Sequence, residues 1–457
     1  MKTAAIVPLL FAAVAVRGAD AGRYVAEVKP PDFGKLATPS PAEKEVREIL
    51  IRSNRYLLGA WWTARGFDRP AADGFLDLKG TAEHEVRPVA DEAHALALSL
   101  KLGVYDPAVA GLPAQEAGRR LRLMIATLAH RHRANSAKGW GRAWQSPLWA
   151  ASAASAAWCV WPELDDTTRR EVLAMLLAET EWVASNKGAK AIKVYRNKAG
   201  DIVSPGDSGG EENAWDAGPP SLAACMMPDA KERPVWMESA VRLMLNATAR
   251  PSDTTRADVV HGRPLRDRLV GSNIEEDGLL VNHGMIHPDY MVAPAELSPA
   301  SWFVLAEGAA PRAALFNEDV LFSALVAHQF EVGEKRGKKA VVPPGGTVYK
   351  PGSDAIYYPF GTDWGPERRM NFVLMDAFES VWSSDPATRK AAAAWLPLHA
   401  GVTARMQARF EDGRTYGAKS EDTYRSREEW VAARAAAALL VLRLGAAGPP
   451  AVSDKAY

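Results

Sequence analysis

What most constrains this chain is a succession of helix-length segments with little between them that reads as strand. The first helix begins at Pro41, with Ser40 as cap and Glu43 in its first turn. It carries Val46, Ile49, Leu50, Leu57 and Leu58, then Trp61 and Trp62. Helical patterns recur at 91–102, 113–135, 146–161, 165–186, 211–227, 233–249, 299–308, 317–332, 368–383, 386–410 and 426–444. Segment 146–161 is rich in Ala and Trp and is expected to be buried on most sides, whereas 165–186 is amphipathic, opened by Asp165 or Asp166 and stopped by Gly188. Segment 211–227 is interrupted by Gly218, Pro219 and Pro220. The strand-like runs, 189–195 and 340–358, read as hairpins decorating loops. Polar-faced helices alternating with buried ones suit two concentric rings. The expected fold is therefore all-α, an (α/α)6-7 toroid with small β-hairpin decorations. A helical solenoid and two separate bundles are the alternatives, and the absence of a fixed repeat of about 33–47 residues weakens the solenoid.

No composition break divides residues 41–445, so they read as a single domain, with 446–457 as a C-terminal tail. Residues 22–40, with Pro30, Pro31 and Pro39, read as an extended lead-in. Lys2, the apolar run 4–16 and Ala19-Asp20-Ala21 have the layout of a signal peptide covering 1–21, so export to the periplasm or medium is expected. The apolar run is too short for a membrane anchor. Lys plus Arg and Asp plus Glu both number 55, which gives no overall basic bias toward nucleic acid. The only cysteines, Cys159 and Cys225, sit in apolar helical surroundings and read as buried thiols, although one disulfide is open to an exported protein. A monomer is expected.

The densest chemistry lies at 274–290, IEEDGLLVNHGMIHPDY. Glu275, Glu276, Asp277, Asn282, His283, His287, Asp289 and Tyr290 crowd into it, and Gly278, Gly284 and Pro288 prevent one continuous helix. His283 can exchange a proton near neutral pH, Tyr290 can do so if its pKa is lowered, and Asn282 can bind a carboxylate or oxyanion. The bland alternative is a polar loop of turn formers and caps.

Three further stretches carry possible site residues. In GDSGGEENAWD, 206–216, Glu211 and Glu212 precede Asn213, a possible carboxylate ligand, and Trp215, a possible sugar platform or a core residue. In 349–369, Tyr349, Tyr357 and Tyr358 are possible proton donors, Trp364 a contact, and Arg369 a carboxylate fork, with Asp363 a turn residue and Arg368 and Arg369 otherwise exposed. In GWGRAWQSPLW, 139–149, Trp140, Arg142 and Trp144 could line a sugar cleft, although most of the 15 tryptophans are expected in the core. His84 and His94 are read as structural or weakly functional.

Asn282-His283-Gly284 followed by Tyr290, with Glu276 seven residues before His283 and the GTDWG stretch at 361–365, resembles the catalytic loops of α/α-toroid uronate polysaccharide lyases, of the alginate and glucuronan lyase kind grouped as polysaccharide lyase family 38. The motifs cover about a tenth of the chain, and the later Arg and Tyr do not align cleanly. The resemblance implies β-elimination of an anionic, 4-linked uronate polymer. The chemistry is coherent by itself: Asn213, Asn282 or a protonated Glu276 neutralises the carboxylate and stabilises the enolate-like intermediate, His283 or a tyrosine removes the C5 proton, and Tyr290 or Tyr358 protonates the leaving O4. Glu212, Trp215, His287, Trp140, Arg142, Trp144, Tyr349, Trp364 and Arg369 would bind substrate. No cofactor or metal is required. Three other readings stay open: a glycoside hydrolase using a pair among Glu211, Glu212, Glu275, Glu276 and Asp277; a metal site at His283 and His287 with Asp289 and Glu276 nearby, against which Gly284 and Pro288 argue; and a glycan-binding protein without activity.

Overall fold

The computed structural model describes residues 24–184, 191–336 and 338–457. The segment read as an export signal, 1–21, lies outside the described residues, as does the start of the 189–195 run.

The chain is helix-rich. In order, the main helices are α1 (Lys44–Tyr56), α2 (Glu83–Lys101), α3 (Ala114–His130), α4 (Ser146–Cys159), α5 (Asp166–Ala184), α6 (Gly210–Asp216) and α7 (Gly218–Met226). There follow α8 (Arg233–Ala247), α9 (Pro288–Leu297), α10 (Ala300–Glu307), α11 (Glu318–Ala327), α12 (Arg369–Trp382), α13 (Pro386–Gln407) and α14 (Arg427–Gly445).

Local chemistry sets several boundaries. The Glu43 carboxylate accepts from Ser40 N at 3.1 Å ahead of α1. Asp165 Oδ1 accepts from Thr167 N and Thr168 N at 2.9 and 3.0 Å and opens α5. Helix α2 starts eight residues before the expected 91 and runs through Pro88. A proline there strips the His84 carbonyl of its helical partner. Arg65 reaches across to donate to the carbonyls of His84, at 3.5 Å, and Glu85, at 2.7 Å. The expected helix 211–227 is two short helices, α6 and α7, meeting at Ala217. Helix α9 was not expected; it starts on Pro288, directly after a hairpin, and is too short for a strong period.

In α4 every residue but Leu148 is buried. Its alanines allow close approach by α2, α5 and α7. Helix α2 also packs on α14, α14 on α12, α12 on α9, and α9 on α6. The more polar α1, α3, α5, α8 and α13 lie against members of that set. A buried ion pair, Arg443 Nε to Glu43 Oε2 at 2.6 Å, joins the start of the helical region to α14.

Strands are two or three residues long. Arg196–Asn197 pairs with Gly271–Ser272, and Lys335–Arg336 with Lys339–Ala340, so the 189–195 and 340–358 runs contribute bridges and flanks rather than the full hairpins expected. The ends are tied down. The lead-in makes two 3-10 turns, and Lys29 bonds Met226 O and Trp158 Nε1. In the tail, Ala451–Ser453 pairs in parallel with Ala309–Pro311. Cys159 and Cys225 are buried free thiols. Among the described residues no helix is long and apolar enough to cross a membrane.

Candidate functional site

The centre of the site is a minimal hairpin. Strand β1 (Val281–Asn282) pairs with β2 (Met285–Ile286), leaving His283-Gly284 as a two-residue loop. Both loop residues have positive φ, +51° and +73°. This is the backbone of a type I′ turn, whose twist matches the strands. Gly284 adopts it freely, whereas His283 holds an uncommon conformation that puts its ring at the hairpin tip. Asn282 Oδ1 accepts from His283 N at 2.8 Å and supports the turn.

The ring of His283 is held from both sides. Nδ1 lies 2.6 Å from Asp363 Oδ2, and Nε2 lies 3.1 Å from Tyr290 Oη. A carboxylate can only accept, so the ring proton sits on Nδ1 and the Nε2 lone pair faces the phenol. Tyr290, in the first turn of α9, has its pKa raised well above the usual tyrosine range by burial, then by the charges of Glu211 and Asp289. That direction favours the neutral phenol and is opposite to the lowered pKa a tyrosine base needs.

Trp364 walls this group, its ring 5.3 Å from His283, 5.9 Å from His287 and 6.3 Å from Tyr290. Its Nε1 donates to Asp289 Oδ2 and Tyr358 Oη donates to Asp289 Oδ1, both at 3.0 Å. Arg368 stacks 4.6 Å over Trp364 and pairs with Asp422 at 3.0 Å. His287 is fully buried, and burial lowers its pKa, which favours the neutral ring.

The 206–216 loop lies against the hairpin: Gly284 N donates to Gly206 O at 2.8 Å and Ser208 N to Val281 O at 2.9 Å. It brings Glu211 into the electrostatic reach of Tyr290. Burial raises the Glu211 carboxyl to about 8, with Arg87 opposing and Glu296 adding to the shift. Beyond it, a cavity of about 90 Å³ among the helices is lined by Asp91, His94, Trp215, Glu296 and Arg434.

Several expected site residues are engaged elsewhere. The Asn213 amide clasps the main chain of Lys193, accepting from N at 3.1 Å and donating to O at 2.8 Å, so it is not a free carboxylate ligand. Glu276 accepts from Ser252 N at 3.1 Å and from Ser252 Oγ, half-exposed and apart from the His283 ring. Tyr349 is wholly buried, donating to Asp376 Oδ1 at 2.9 Å, so it is not a substrate contact. Tyr358 is buried on Asp289, and burial raises its pKa well above the usual range. Arg369 and Arg368 are buried rather than exposed; Arg369 holds the carbonyls of Asp354 and Pro366. Trp140 is core, bonded to Leu128 O at 3.0 Å, and Trp215 is core against Trp144. Arg142 is exposed, with its backbone N–H bonded to Glu179 Oε1 at 2.7 Å. Trp144 is 53% exposed, and its Nε1 donates to Glu212 Oε1 at 2.6 Å, which Lys193 Nζ also contacts at 2.6 Å.

Of the carboxylates considered for a hydrolase, Glu275 is on Arg196, Glu276 on Ser252, Asp277 by His328 and Glu212 on Lys193, while Glu211 stands within electrostatic reach of Tyr290. Outside the expected site residues are Asp363, which reads as a turn residue, and the supports Arg368 and Asp289, the last named only beside a possible metal site. Asp289 carries a local signal in its crowded stretch, and Asp363 carries only its place in GTDWG, 361–365, with nothing that ties it to His283, 80 residues away. No protein-family model matches the chain, and no characterised protein or solved structure matches it.

Proposed function

We propose that this chain is a polysaccharide lyase that cleaves a 4-linked uronate polymer of alginate or glucuronan type by β-elimination, on an α/α toroid. The contacts α14–α2–α4–α7 and α14–α12–α9–α6, with more polar helices outside them, support the toroid. The observation that carries the activity is the chain of contacts Asp363–His283–Tyr290 at the exposed tip of a hairpin.

In this mechanism His283 is the base. Asp363 holds the Nδ1 proton, so Nε2 takes the C5 proton and the imidazolium gains a carboxylate partner. Tyr290, kept protonated by its surroundings, donates to O4 as the C4–O4 bond breaks. The cycle leaves an imidazolium and a phenolate 3.1 Å apart, and one proton transfer restores both. The uronate carboxylate needs a neutral hydrogen-bond donor while C5 carries charge. Asn282 beside His283 and protonated Glu211 near Tyr290 fill that role better than Asn213 or Glu276, which are engaged elsewhere. Exposed Trp144 offers a ring to a neighbouring sugar.

The test is incubation of the purified protein with alginate, glucuronan and other uronans, followed by ultraviolet absorbance. Unsaturated uronate products are expected. Reducing ends without unsaturation would replace the lyase with a hydrolase, and no product from any uronan would remove the activity.

A further inference from the structure

His287 stands out among the buried polar groups. It is fully buried, yet neither ring nitrogen has a hydrogen-bond partner. Nδ1 points toward Asp289 Oδ2 at 3.9 Å, and Nε2 lies 3.5 Å from Asp363 Oδ2, the same oxygen that contacts His283 Nδ1 at 2.6 Å. One donor atom from each of His283, His287 and Asp363 falls within 4.8 Å of the others. A buried nitrogen lone pair beside a carboxylate oxygen is unfavourable unless something positive stands between them.

We propose that His283, His287 and Asp363 form a site for a divalent transition metal of the zinc class, and that its occupation switches the His283–Tyr290 proton path off. Two imidazoles and one carboxylate suit zinc, and metal–ligand bonds of about 2.0–2.1 Å in a tetrahedron put ligand atoms about 3.3–3.4 Å apart. The His287–Asp363 separation already fits. The shorter His283–Asp363 contact must open by about 0.7 Å on this geometry, which two side chains 41% and 35% exposed can accommodate. Their exposure also leaves a fourth position to water. Asp289 Oδ2 lies 3.9 Å from Nδ1 of His287, on the side from which an outer carboxylate orients a metal-bound histidine, and the ring must move toward it to make that bond.

The effect on activity rests on the elimination reading. A metal on Nδ1 takes the lone pair there, and the neutral ring then carries its proton on Nε2. Nε2–H donates to Tyr290 Oη and no longer accepts a proton from C5 or from the phenol. Metal and proton path therefore compete for one ring.

The full chain, stripped with EDTA and dialysed, is titrated with zinc chloride against a chromogenic chelator, and with cobalt(II) to read the visible bands of four-coordinate metal. One zinc per chain and those bands are expected. Outer-shell changes typically cost about 10–100-fold in affinity, so Asp289→Asn should fall in that range and His287→Gln should lose more. Because His287 is buried, His283→Ala at the exposed tip serves as a second ligand variant with the same expected loss. Failure of the wild type to retain stoichiometric zinc, or retention by either ligand variant when folded, overturns the site. Stoichiometric zinc should also suppress formation of unsaturated product by the stripped enzyme; full activity with zinc bound overturns the switch. Zinc binding by a protein that makes no product from any uronan would support the site while removing the lyase reading.

Discussion

The Asp363 carboxylate lies 2.6 Å from Nδ1 of His283, across 80 residues of sequence. That contact fixes the tautomer of a histidine whose other nitrogen meets a phenol, and it makes a turn-forming aspartate part of the proposed proton path. Removing a general acid or base typically costs about 10²–10⁴-fold in rate. His283→Ala and Tyr290→Phe should each lower kcat on a uronan by that order, with little change in polymer binding. Asp363→Asn should lower kcat in the same direction by releasing the ring to the other tautomer. Steady-state rates of absorbance increase check all three; near wild-type turnover by His283→Ala would remove the hairpin from the mechanism.

The helices were legible because burial of an apolar stripe leaves a local period. That holds for 113–135 and 368–383, found as Ala114–His130 and Arg369–Trp382. The hairpin tip was half legible: Asn-His-Gly marks a turn, but the positive φ of His283 appears only when β1 and β2 pair. What the residues do there was less legible, since hydrogen-bond partners leave no period. Asn213 and Asn282 look alike as amides in polar loops. One closes on the backbone of Lys193, and the other supports the turn at His283-Gly284. GTDWG marks the stretch around Asp363, but nothing local ties its carboxylate to His283 rather than to a turn.

Asn213 and Asp289 should therefore behave as supports. Asn213→Ala strands the N–H of Lys193, whose C=O keeps Asn273 Nδ2 as a donor at 2.9 Å, and Asp289→Ala strands the Tyr358 hydroxyl and the Trp364 indole N–H. A buried unsatisfied polar group costs about 1–3 kcal/mol. Each variant should lose at least about that much in urea unfolding. Asn213→Ala should keep its KM, whereas a raised KM with unchanged stability would restore Asn213 as a substrate ligand.

The acid and the base of the proposed mechanism are neighbours, Tyr290 Oη and His283 Nε2 being 3.1 Å apart. They reach the sugar from one side. Elimination then requires the C5 hydrogen and the C4 oxygen on the same face of the ring, as in 4-linked D-glucuronate and D-mannuronate. In L-guluronate and D-galacturonate they lie on opposite faces. Glucuronan or mannuronate-rich alginate should be cut, and guluronate blocks and polygalacturonate should not. Faster release of unsaturated product from guluronate blocks would contradict the same-side arrangement.

Glu211 sets the expected pH dependence. Its carboxyl is raised from 4.5 to about 8, mainly by burial. Between those values the folded chain keeps a proton that the unfolded chain has lost, so this group's contribution to stability declines as pH rises and is gone above about 8. The same proton is what lets Glu211 donate to a uronate carboxylate. On both grounds kcat/KM should fall as pH passes about 8. Tyr290 does not produce that limb, because its own pKa is raised well above the usual tyrosine range. Glu211→Gln, whose amide stays a neutral donor at every pH, should move the alkaline limb upward and flatten the pH dependence of unfolding over the same window. Rate profiles and urea titrations of both proteins from pH 6 to 10 check this; an alkaline limb unchanged in Glu211→Gln would assign it to another group and leave Asn282 as the neutraliser.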